Sequence, residues 1–317
     1  IYLLFMMKIK VVLIACIAML CSALNPVKAE GIFAPSNVFE NLQPGDKVAL
    51  LMVYFGTTHD DTRALTIDAL NKKVKEAYPN LDVREAYTSR IVMYRLAKRG
   101  VIKKNPIEAL AQLKADGYTH VLVQSANIID GVEMESLRKD IAQVNFLFKE
   151  IRLGLPLLYF PEDYKLVIDA LLPKAKENAV NILIGHGTYK PETAQYAMLD
   201  YMFQAEGHKN FAVGTVEGYP SFEDAVNRLP ERQKKIKEVQ LIPFLFVAGD
   251  HAKNDIAVDM KQALEEKGYK VSVLNEGLGQ NAAILDIYMD HIKFIMENKP
   301  LDINEKKKEY SKGKDAY

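Results

Sequence analysis

Short apolar segments alternate with amphipathic segments along most of the chain. The segments Lys47–Tyr54 and Tyr118–Gln124 are rich in apolar and β-branched residues, a pattern typical of strands buried on both faces of a sheet. Between them, Ile67, Leu70 and Val74 recur at helical spacing and predict an amphipathic helix. Regular alternation of such strands and helices predicts parallel sheets with helices on both faces.

The same alternation begins again in the second half of the chain. Strands are predicted there at Val180–Gly185, Phe211–Val216, Val239–Val247 and Lys270–Leu274. We therefore expect an α/β protein with two similar domains, an N-terminal domain (45–170) and a C-terminal domain (171–298). A lead-in segment (30–44) precedes these domains, and a charged, mobile tail (299–317) follows them.

Three short motifs occur in the same order in both halves, which indicates an internal duplication. Residues 55–57 (FGT) match 186–188 (HGT), residues 85–89 (EAYTS) match 217–221 (EGYPS), and residues 121–133 match 239–251 without a gap. Ligands of open α/β sheets bind beyond the carboxyl ends of the strands. We therefore expect the active site in a cleft between the two halves.

Three residues at strand ends of the second half could bind one divalent metal ion: His186, Glu217 and His251. Two imidazoles and a carboxylate form a facial ligand set that leaves other coordination positions open. The positions that match them in the first half are Phe55, Glu85 and Glu133. The second half is therefore expected to carry the metal ligands.

Each of these residues also has a purely structural interpretation. His186 could be a hydrogen-bonded structural histidine, Glu217 could cap a helix, and His251 could simply begin the next helix. The Gly-His-Gly-Thr sequence could bind phosphate, but it fits neither of the glycine motifs that bind nucleotides. Three such residues at equivalent strand ends favour a metal site and no nucleotide cofactor.

The other four histidines are weaker candidates. His120 begins a strand, at the end opposite to the expected site, and His59 lies just past the first strand on the side of the site. His208, in a polar turn, and His291, on a late helix, are expected to be exposed to solvent.

Charge argues against one class of function. The 317 residues include 41 Lys and Arg and 41 Asp and Glu, so the formal net charge is zero. A protein that binds nucleic acid needs a basic surface to neutralise phosphates, and this balance therefore disfavours nucleic-acid partners.

The first 29 residues have the features of a secretory signal peptide. Lys8 and Lys10 precede an apolar run, Val11–Leu24, and Val27-Lys28-Ala29 is a small-x-small cleavage sequence. We expect cleavage near Ala29 and a periplasmic protein with no membrane span in the mature chain. One alternative is a membrane anchor, for which the apolar run is short. The other is a lipoprotein attached through Cys16.

Six segments resemble the anaerobic-type sirohydrochlorin cobaltochelatases, the CbiK-type class II chelatases. They are 53–63 (VYFGTTHDDTR), 86–92 (AYTSRIV), 121–133 (VLVQSANIIDGVE), 182–203 (ILIGHGTYKPETAQYAMLDYMF), 216–220 (VEGYP) and 243–257 (PFLFVAGDHAKNDIA). The resemblance covers residues 45–298 in order. It implies two α/β domains related by pseudo-symmetry, a tetrapyrrole in the cleft between them, and insertion of Co²⁺ without ATP in cobalamin or porphyrin biosynthesis.

The resemblance also implies roles for individual residues. The metal ligands of the family are the histidine of GHG, the glutamate of VE-x-YP and the histidine of GDHA, which are His186, Glu217 and His251 in this chain. Glu133 matches a catalytic glutamate that faces the site from the other domain, and we expect His186 also to accept a proton. Family members often have histidine where this chain has Asn127, which cannot accept a proton near neutral pH.

Sirohydrochlorin carries many carboxylates around a large ring, so cationic and aromatic side chains near the cleft are candidates for binding it. They are Arg63, Arg90, Lys190, Phe55, Tyr87 and Tyr219. Co²⁺ is the expected metal, with Fe²⁺ and Ni²⁺ as alternatives, because all three accept imidazole and carboxylate ligands. The sequence is also compatible with a homo-oligomer.

The export signal supports a second hypothesis, because cobalt insertion for corrinoid synthesis belongs in the cytoplasm. An exported protein with these ligands could bind a tetrapyrrole, haem or a metal without catalysis. The complete set of His186, Glu217 and His251 favours the enzyme, whereas Asn127 and the signal peptide favour the binding protein. A solute-binding protein of the metal-uptake type is less consistent with the duplicated motifs.

Overall fold

The computed structural model describes residues 32–229, 237–249 and 252–310. The predicted signal peptide (1–29) lies outside these residues. Among the described residues, no helix has the length and the apolar character needed to cross a bilayer.

The first half of the chain contains five strands and six α-helices within the described residues. They are β1 (Phe33–Pro35), β2 (Val48–Tyr54), α1 (Asp60–Leu65), α2 (Ile67–Ala77), β3 (Asp82–Tyr87), α3 (Arg90–Ala97), α4 (Pro106–Ala115), β4 (His120–Ser125), α5 (Val132–Val144), β5 (Glu150–Leu153) and α6 (Pro161–Leu171).

The second half continues the alternation. Its described elements are β6 (Val180–Gly187), α7 (Ala194–Ala205), β7 (Phe211–Glu217), α8 (Phe222–Asn227), β8 (Glu238–Pro243), a π-helical segment (Ala252–Met260), α9 (Lys261–Glu266), β9 (Lys270–Val273), α10 (Ala282–Glu297), β10 (Asn298–Pro300) and α11 (Ile303–Tyr310).

Two four-stranded parallel sheets lie within one compact unit, Ser36–Glu297. The strand order is β3-β2-β4-β5 in the first sheet and β7-β6-β8-β9 in the second, so the two halves have the same topology. Every residue of β2 and β4 is buried, as expected for central strands of sheets covered on both faces. The predicted fold class, two similar α/β halves with parallel sheets, is confirmed.

The strand register confirms two of the three motif matches. Ala49 pairs with Val121 in the first sheet, and Val180 pairs with Val239 in the second. The match of 55–57 to 186–188 places Ala49 on Val180, and the match of 121–133 to 239–251 places Val121 on Val239. The central strand pairs of the two sheets are therefore equivalent, residue by residue.

The third motif match is wrong for the strands. Glu85 lies in the middle of β3, where its carboxylate contacts Lys103 and accepts a hydrogen bond from Asn71 at 2.8 Å. Glu217 is instead the last residue of β7, opposite Gly187. The register makes Ser89, and not Glu85, the first-half equivalent of Glu217.

The two motifs match because each ends in a serine that caps a helix. Ser89 Oγ accepts the backbone N–H of Val92 at 3.3 Å, and Ser221 Oγ accepts that of Asp224 at 3.0 Å. In the second half, four additional residues separate the strand end from this cap. The sequence match therefore aligns the two helix caps and shifts β3 against β7 by four residues.

Helix α10, which belongs to the predicted C-terminal domain, packs against β4 and α6 of the first half. The Tyr288 hydroxyl donates to the carbonyl of Ala126 at 3.0 Å. The buried guanidinium of Arg152, on β5, donates to the carbonyls of Ser36 and Ile295 at 2.6 and 3.0 Å. The last long helix therefore crosses back to the first sheet, while the proposed division at residues 170 and 171 stays a prediction.

His291 is buried, so the prediction that it is exposed is wrong. Only 3% of its surface is accessible, and its Nε2 lies 3.1 Å from Asp163 Oδ1. The other carboxylate oxygen of Asp163 accepts the backbone N–H of Phe160 at 2.7 Å and caps α6. This histidine joins α10 to the start of α6 and has a structural position.

Part of the segment predicted to be a mobile tail (299–317) has regular secondary structure. Strand β10 pairs antiparallel with β1, with Phe33 opposite Pro300, and α11 follows it. Pairing satisfies backbone groups of the short strand, and the carboxylate of Asp302 accepts the N–H of Asn304 at 2.6 Å at the start of α11. Residues 311–317 lie outside the described part of the chain.

We predict that Arg152→Met lowers the free energy of unfolding by about 3 kcal/mol, because it leaves buried carbonyls without their charged donor. Arg138→Met is the matched control. Its side chain is 47% exposed and pairs with Asp130, so we expect a loss below about 1 kcal/mol. Urea unfolding measures both values, and equal losses would contradict a stabilising role for Arg152.

Candidate functional site

Two of the three predicted metal ligands lie at the same edge of the second sheet. His186 is the penultimate residue of β6, and Glu217 ends the neighbouring strand β7, where it pairs with Gly187. His186 is half-buried and Glu217 is exposed. Both side chains therefore belong to the carboxyl edge of the second sheet, where ligands of parallel sheets bind.

The third predicted ligand, His251, lies outside the described residues. The described chain stops two residues before it, at Gly249, six residues beyond the end of β8, and resumes at Ala252 with the π-helical segment. Among the described residues, no three His, Cys, Asp or Glu side chains form a group that could hold a metal ion. The three-residue ligand set therefore stays a prediction.

A glycine fixes how closely the ends of β6 and β7 approach. Gly187 has a φ of +87°, and a Cβ atom there would lie 1.4 Å from the carbonyl oxygen of Glu217. No other residue fits this position, because the conformation is left-handed and the space is already occupied. The glycine turns the chain directly after His186 and keeps Glu217 on the adjacent strand.

The loops after the central strands contact each other in two equivalent pairs. A Cβ built on Gly249 would lie 3.7 Å from Thr57 Oγ1, and one built on Gly131 would lie 3.7 Å from Thr188 Cβ. The duplication relates Thr57 to Thr188 and Gly131 to Gly249. The carboxyl edges of the two sheets therefore face each other with approximate two-fold symmetry.

The same symmetry extends to the hydrogen bonds within these loops. Thr57 Oγ1 accepts the backbone N–H of His59 at 3.2 Å, and Thr188 Oγ1 accepts that of Lys190 at 3.3 Å. Both threonines are buried. Equivalent positions thus hold His59 in the first half and Lys190 in the second.

Glu133 approaches this region from the first half. It lies in the first turn of α5, two residues after Gly131, and one of its carboxylate oxygens accepts the hydroxyl of Thr88 at 2.9 Å. Because Gly131 lies against Thr188, the first turn of α5 comes close to the loop that follows His186. The catalytic role of Glu133 stays a prediction, and its position is compatible with that role.

Asn127 stands at the position for which the resemblance predicts a histidine. Its backbone N–H donates to Ser125 Oγ at 3.2 Å, and its carbonyl accepts hydrogen bonds from Leu157 N at 2.9 Å and from the Tyr288 hydroxyl at 3.2 Å. The backbone at this position is therefore held firmly, directly after the end of β4.

The cationic candidates differ in what they already contact. Arg63 lies 3.3 Å from Asp68 and 3.4 Å from Asp60, so two carboxylates already balance its charge. Arg90 begins α3 and is exposed. Burial raises the pKa of Asp140 above its ordinary value, and the positive charge of Arg90 partly opposes this rise. Arg90 is therefore the more accessible of the two arginines.

The aromatic candidates divide into buried and exposed residues. Tyr87 is fully buried. A Cβ atom at Gly56 would lie only 2.4 Å from its ring, so the two residues pack closely. Tyr87 is therefore a core residue with no surface to offer a ligand. Phe55 and Tyr219, which follow β2 and β7, are 51% and 56% exposed. They present apolar surface at the edge where the candidate metal ligands lie.

Sequence reasoning missed Tyr189, which is 83% exposed and directly follows the buried Thr188. Its loop is tied to the neighbouring one through Thr193, whose Oγ1 accepts the N–H of Tyr219 at 2.9 Å and donates to its carbonyl at 2.7 Å. The position of Tyr189 directly after the Gly-His-Gly-Thr motif could have indicated it.

Lys190 is part of a three-membered ion-pair network. Its ammonium group contacts Glu135, whose carboxylate also lies 2.7 Å from the ammonium of Lys139. The two cations, Lys139 more strongly than Lys190, lower the pKa of Glu135 to about 2. Glu135 is therefore ionised at neutral pH and joins α5 to the loop after His186.

Comparisons with known proteins identify the family. The family model described as "Cobalt chelatase (CbiK)" matches residues 48–297. A sirohydrochlorin cobaltochelatase of Salmonella typhimurium is 34% identical over 254 residues, which cover 78% of this chain and 95% of that protein. The sirohydrochlorin cobaltochelatase CbiKC of Nitratidesulfovibrio vulgaris is 30% identical over 261 residues, covering 78% and 90% of the two chains.

Solved structures share the fold at lower sequence identity. SirB from Bacillus subtilis with Fe3+ superimposes with a TM-score of 0.58 at 16% identity and covers 79% of this chain and 96% of that one. A multi-domain protein from Deinococcus radiodurans with structural similarity to chelatases gives a TM-score of 0.54 at 14% identity, covering 84% and 60% of the two chains. These similarities support the chelatase fold.

We predict that Gly187→Ala destabilises the protein and separates β6 from β7 at the site. The added methyl group would overlap the Glu217 carbonyl. The loss of unfolding free energy should therefore exceed, by about 1–3 kcal/mol, the loss caused by placing alanine at a positive φ with free space around it. Gly207→Ala is the control, because its φ is +90° and a Cβ there would meet nothing within 4 Å. Equal losses in urea unfolding of the two variants would contradict the close approach.

Proposed function

Because the chain belongs to the cobalt chelatase (CbiK) family, we propose that it inserts Co²⁺ into sirohydrochlorin. The match spans both sheets, and the named relatives are covered almost completely. The reaction would take place at the facing carboxyl edges of the two sheets. One observation carries the proposal beyond family membership: β6 and β7 end side by side with His186 and Glu217, opposite the turn that holds Glu133.

The metal is a substrate of this reaction, and His186, Glu217 and His251 would bind it before transfer. Two neutral imidazoles and a carboxylate reduce the net charge of a divalent ion and replace part of its hydration shell. They leave open positions for the ring nitrogens. Co²⁺ is the proposed metal, and Fe²⁺ and Ni²⁺ suit the same ligand types.

Insertion also requires acceptors for protons. Two pyrrole N–H bonds break as the metal binds the ring nitrogens, so two protons leave the ring for each ion that enters. His186 would accept a proton when the metal leaves it, because an imidazole can serve both roles in turn. Glu133, hydrogen-bonded to Thr88, would accept a proton from the side of the first half.

The ring would bind against the exposed aromatic side chains at this edge. Phe55, Tyr189 and Tyr219 follow the ends of β2, β6 and β7, and each has more than half of its surface exposed. Large planar side chains suit the flat face of a conjugated macrocycle, because stacking removes apolar surface from water on both partners. The accessible Arg90 is available to the peripheral carboxylates.

We predict that His186→Ala lowers kcat/KM for Co²⁺ insertion at least about 100-fold, because it removes a ligand and a proton acceptor together. Glu133→Gln should lower kcat about 10-fold to 100-fold with little effect on tetrapyrrole binding. His208→Ala, in the turn before the amino end of β7, is the control and should retain wild-type rates.

The assay follows the absorbance of sirohydrochlorin under anaerobic conditions with Co²⁺, Fe²⁺ or Ni²⁺ as the metal. Conversion that depends on His186 would support the enzyme and rank its metals. Tight tetrapyrrole binding by the wild-type protein, with no conversion above the uncatalysed rate, would instead support an exported binding protein on the chelatase fold.

The proposed site of action is outside the cytoplasm. The support is the N-terminal sequence, in which two lysines, an apolar run and a small-x-small sequence follow one another. This order is typical of a cleaved signal peptide. An exported chelatase would act on tetrapyrrole or metal in the periplasm.

We predict that the chain, produced with residues 1–29 in a Gram-negative host, accumulates in the periplasm and begins at Glu30. Mass spectrometry of the periplasmic fraction measures the N-terminus. A lipid-modified protein that becomes unmodified in Cys16→Ser would support the lipoprotein alternative. Full-length protein in the cytoplasm would contradict export.

A further inference from the structure

The ion-pair network of Lys190, Glu135 and Lys139 lies beside the candidate site. Lys190 follows His186 by four residues, and Glu135 follows Glu133 by two. The contact between Lys190 and Glu135 therefore connects the loop that follows a predicted metal ligand to the helix turn that carries the predicted catalytic glutamate. A ring bound to those residues would have this ion pair close to it.

The two lysines are not equivalent. The side chain of Lys190 is 29% exposed, whereas that of Lys139 is 71% exposed and lies one helical turn from Glu135 on α5. The backbone of Lys190 is fixed by Thr188 and by the N–H of Thr193, which donates to its carbonyl at 3.0 Å. Lys190 is thus a partly desolvated cation at a fixed position, which favours binding an anion.

We propose that Lys190 binds a peripheral carboxylate of the tetrapyrrole, which displaces Glu135 from it, and that Glu135 is an internal competitor for this cation. The inference rests on the proposed function and adds to it a specificity-determining pair. Before substrate binds, Glu135 occupies the cation. After substrate binds, Glu135 remains paired with Lys139, and the substrate carboxylate takes its place on Lys190.

The charges explain why this exchange of carboxylates costs little free energy. One carboxylate replaces another on the same ammonium, and Lys139 remains beside the carboxylate that is released. No charge is left buried without a partner, which would be the costly outcome. Arg63 offers no such exchange, because two aspartates already lie within 3.4 Å of it.

The competition would also give selectivity. An anion can pair with Lys190 only if it binds there more tightly than Glu135 does. A ring without a carboxylate at this position does not displace Glu135, and neither does a small anion with no other contacts. Selectivity that depends on displacing an internal partner is a form of discrimination against wrong ligands.

The test exploits opposite expectations for the two partners of one ion pair. Lys190→Met should weaken binding of metal-free sirohydrochlorin about tenfold and raise its KM similarly, with kcat nearly unchanged. Glu135→Gln should strengthen binding about threefold, because it removes the competitor. In the double variant the effect of Glu135→Gln should disappear, as expected for residues that act through each other.

Fluorescence titration gives the dissociation constants, and the chelation assay gives KM and kcat. Lys270→Met is the control, since this lysine pairs with Glu238 at 2.7 Å at the amino ends of β8 and β9, and we expect wild-type values. If the ion pair only holds the loop to α5, both single variants will weaken binding, and that result would overturn the inference. Wild-type protein that neither binds nor converts sirohydrochlorin would instead refute the proposed function.

Discussion

The close approach of β6 and β7 at Gly187 determines the geometry of the candidate site. The carbonyl of Glu217 occupies the space where any side chain at residue 187 would begin, and the positive φ turns the chain immediately after His186. The turn leads directly to Thr188, which is buried against Gly131 of the other half. A single residue without a side chain thus connects the edge that carries two predicted ligands to the contact between the two halves.

A site shared by two sheets also requires that the sheets hold a constant relation to each other. Helix α10 contributes to this, because it belongs to the second half in sequence and packs on the first half in space. Tyr288 bonds the chain just beyond β4, and Arg152 binds the last turn of α10 from β5. One hydrophobic core includes residues of both sheets, such as Leu50 of β2 and Ile242 of β8. The candidate groups of the two halves can then keep their mutual distances.

Much of the fold could be predicted, because strands buried on both faces of a sheet have mostly apolar sequences and the duplication repeats their order. The displaced match of Glu85 arose because a helix cap gives a stronger sequence signal than strand register. The burial of Tyr87 depends on the absence of a side chain at Gly56, a tertiary contact that no local pattern reveals. Such contacts decide which members of a motif reach a ligand.

The periodicity of α10 did contain the signal that His291 is buried. Ile284, Ile287 and Tyr288 precede it by seven, four and three residues and lie on the same face of the helix. A histidine on an apolar face is usually a core residue, and here Asp163 is the partner of its Nε2. The candidate site residues, by contrast, can be predicted because the duplicated halves carry different residues at equivalent strand ends.

The duplication left the two walls of the site chemically different. Phe55 stands in the first half where the second has His186, and Glu133 stands where the second has His251. The ligands proposed for one wall therefore include nitrogen donors, whereas the matching positions of the other half carry an aromatic ring and a carboxylate. A flat macrocycle held between such walls has two distinguishable faces. In the proposed reaction, the ion would approach the ring from the side of His186 and a proton would pass to Glu133 on the other side, so the two faces of the ring would have different roles.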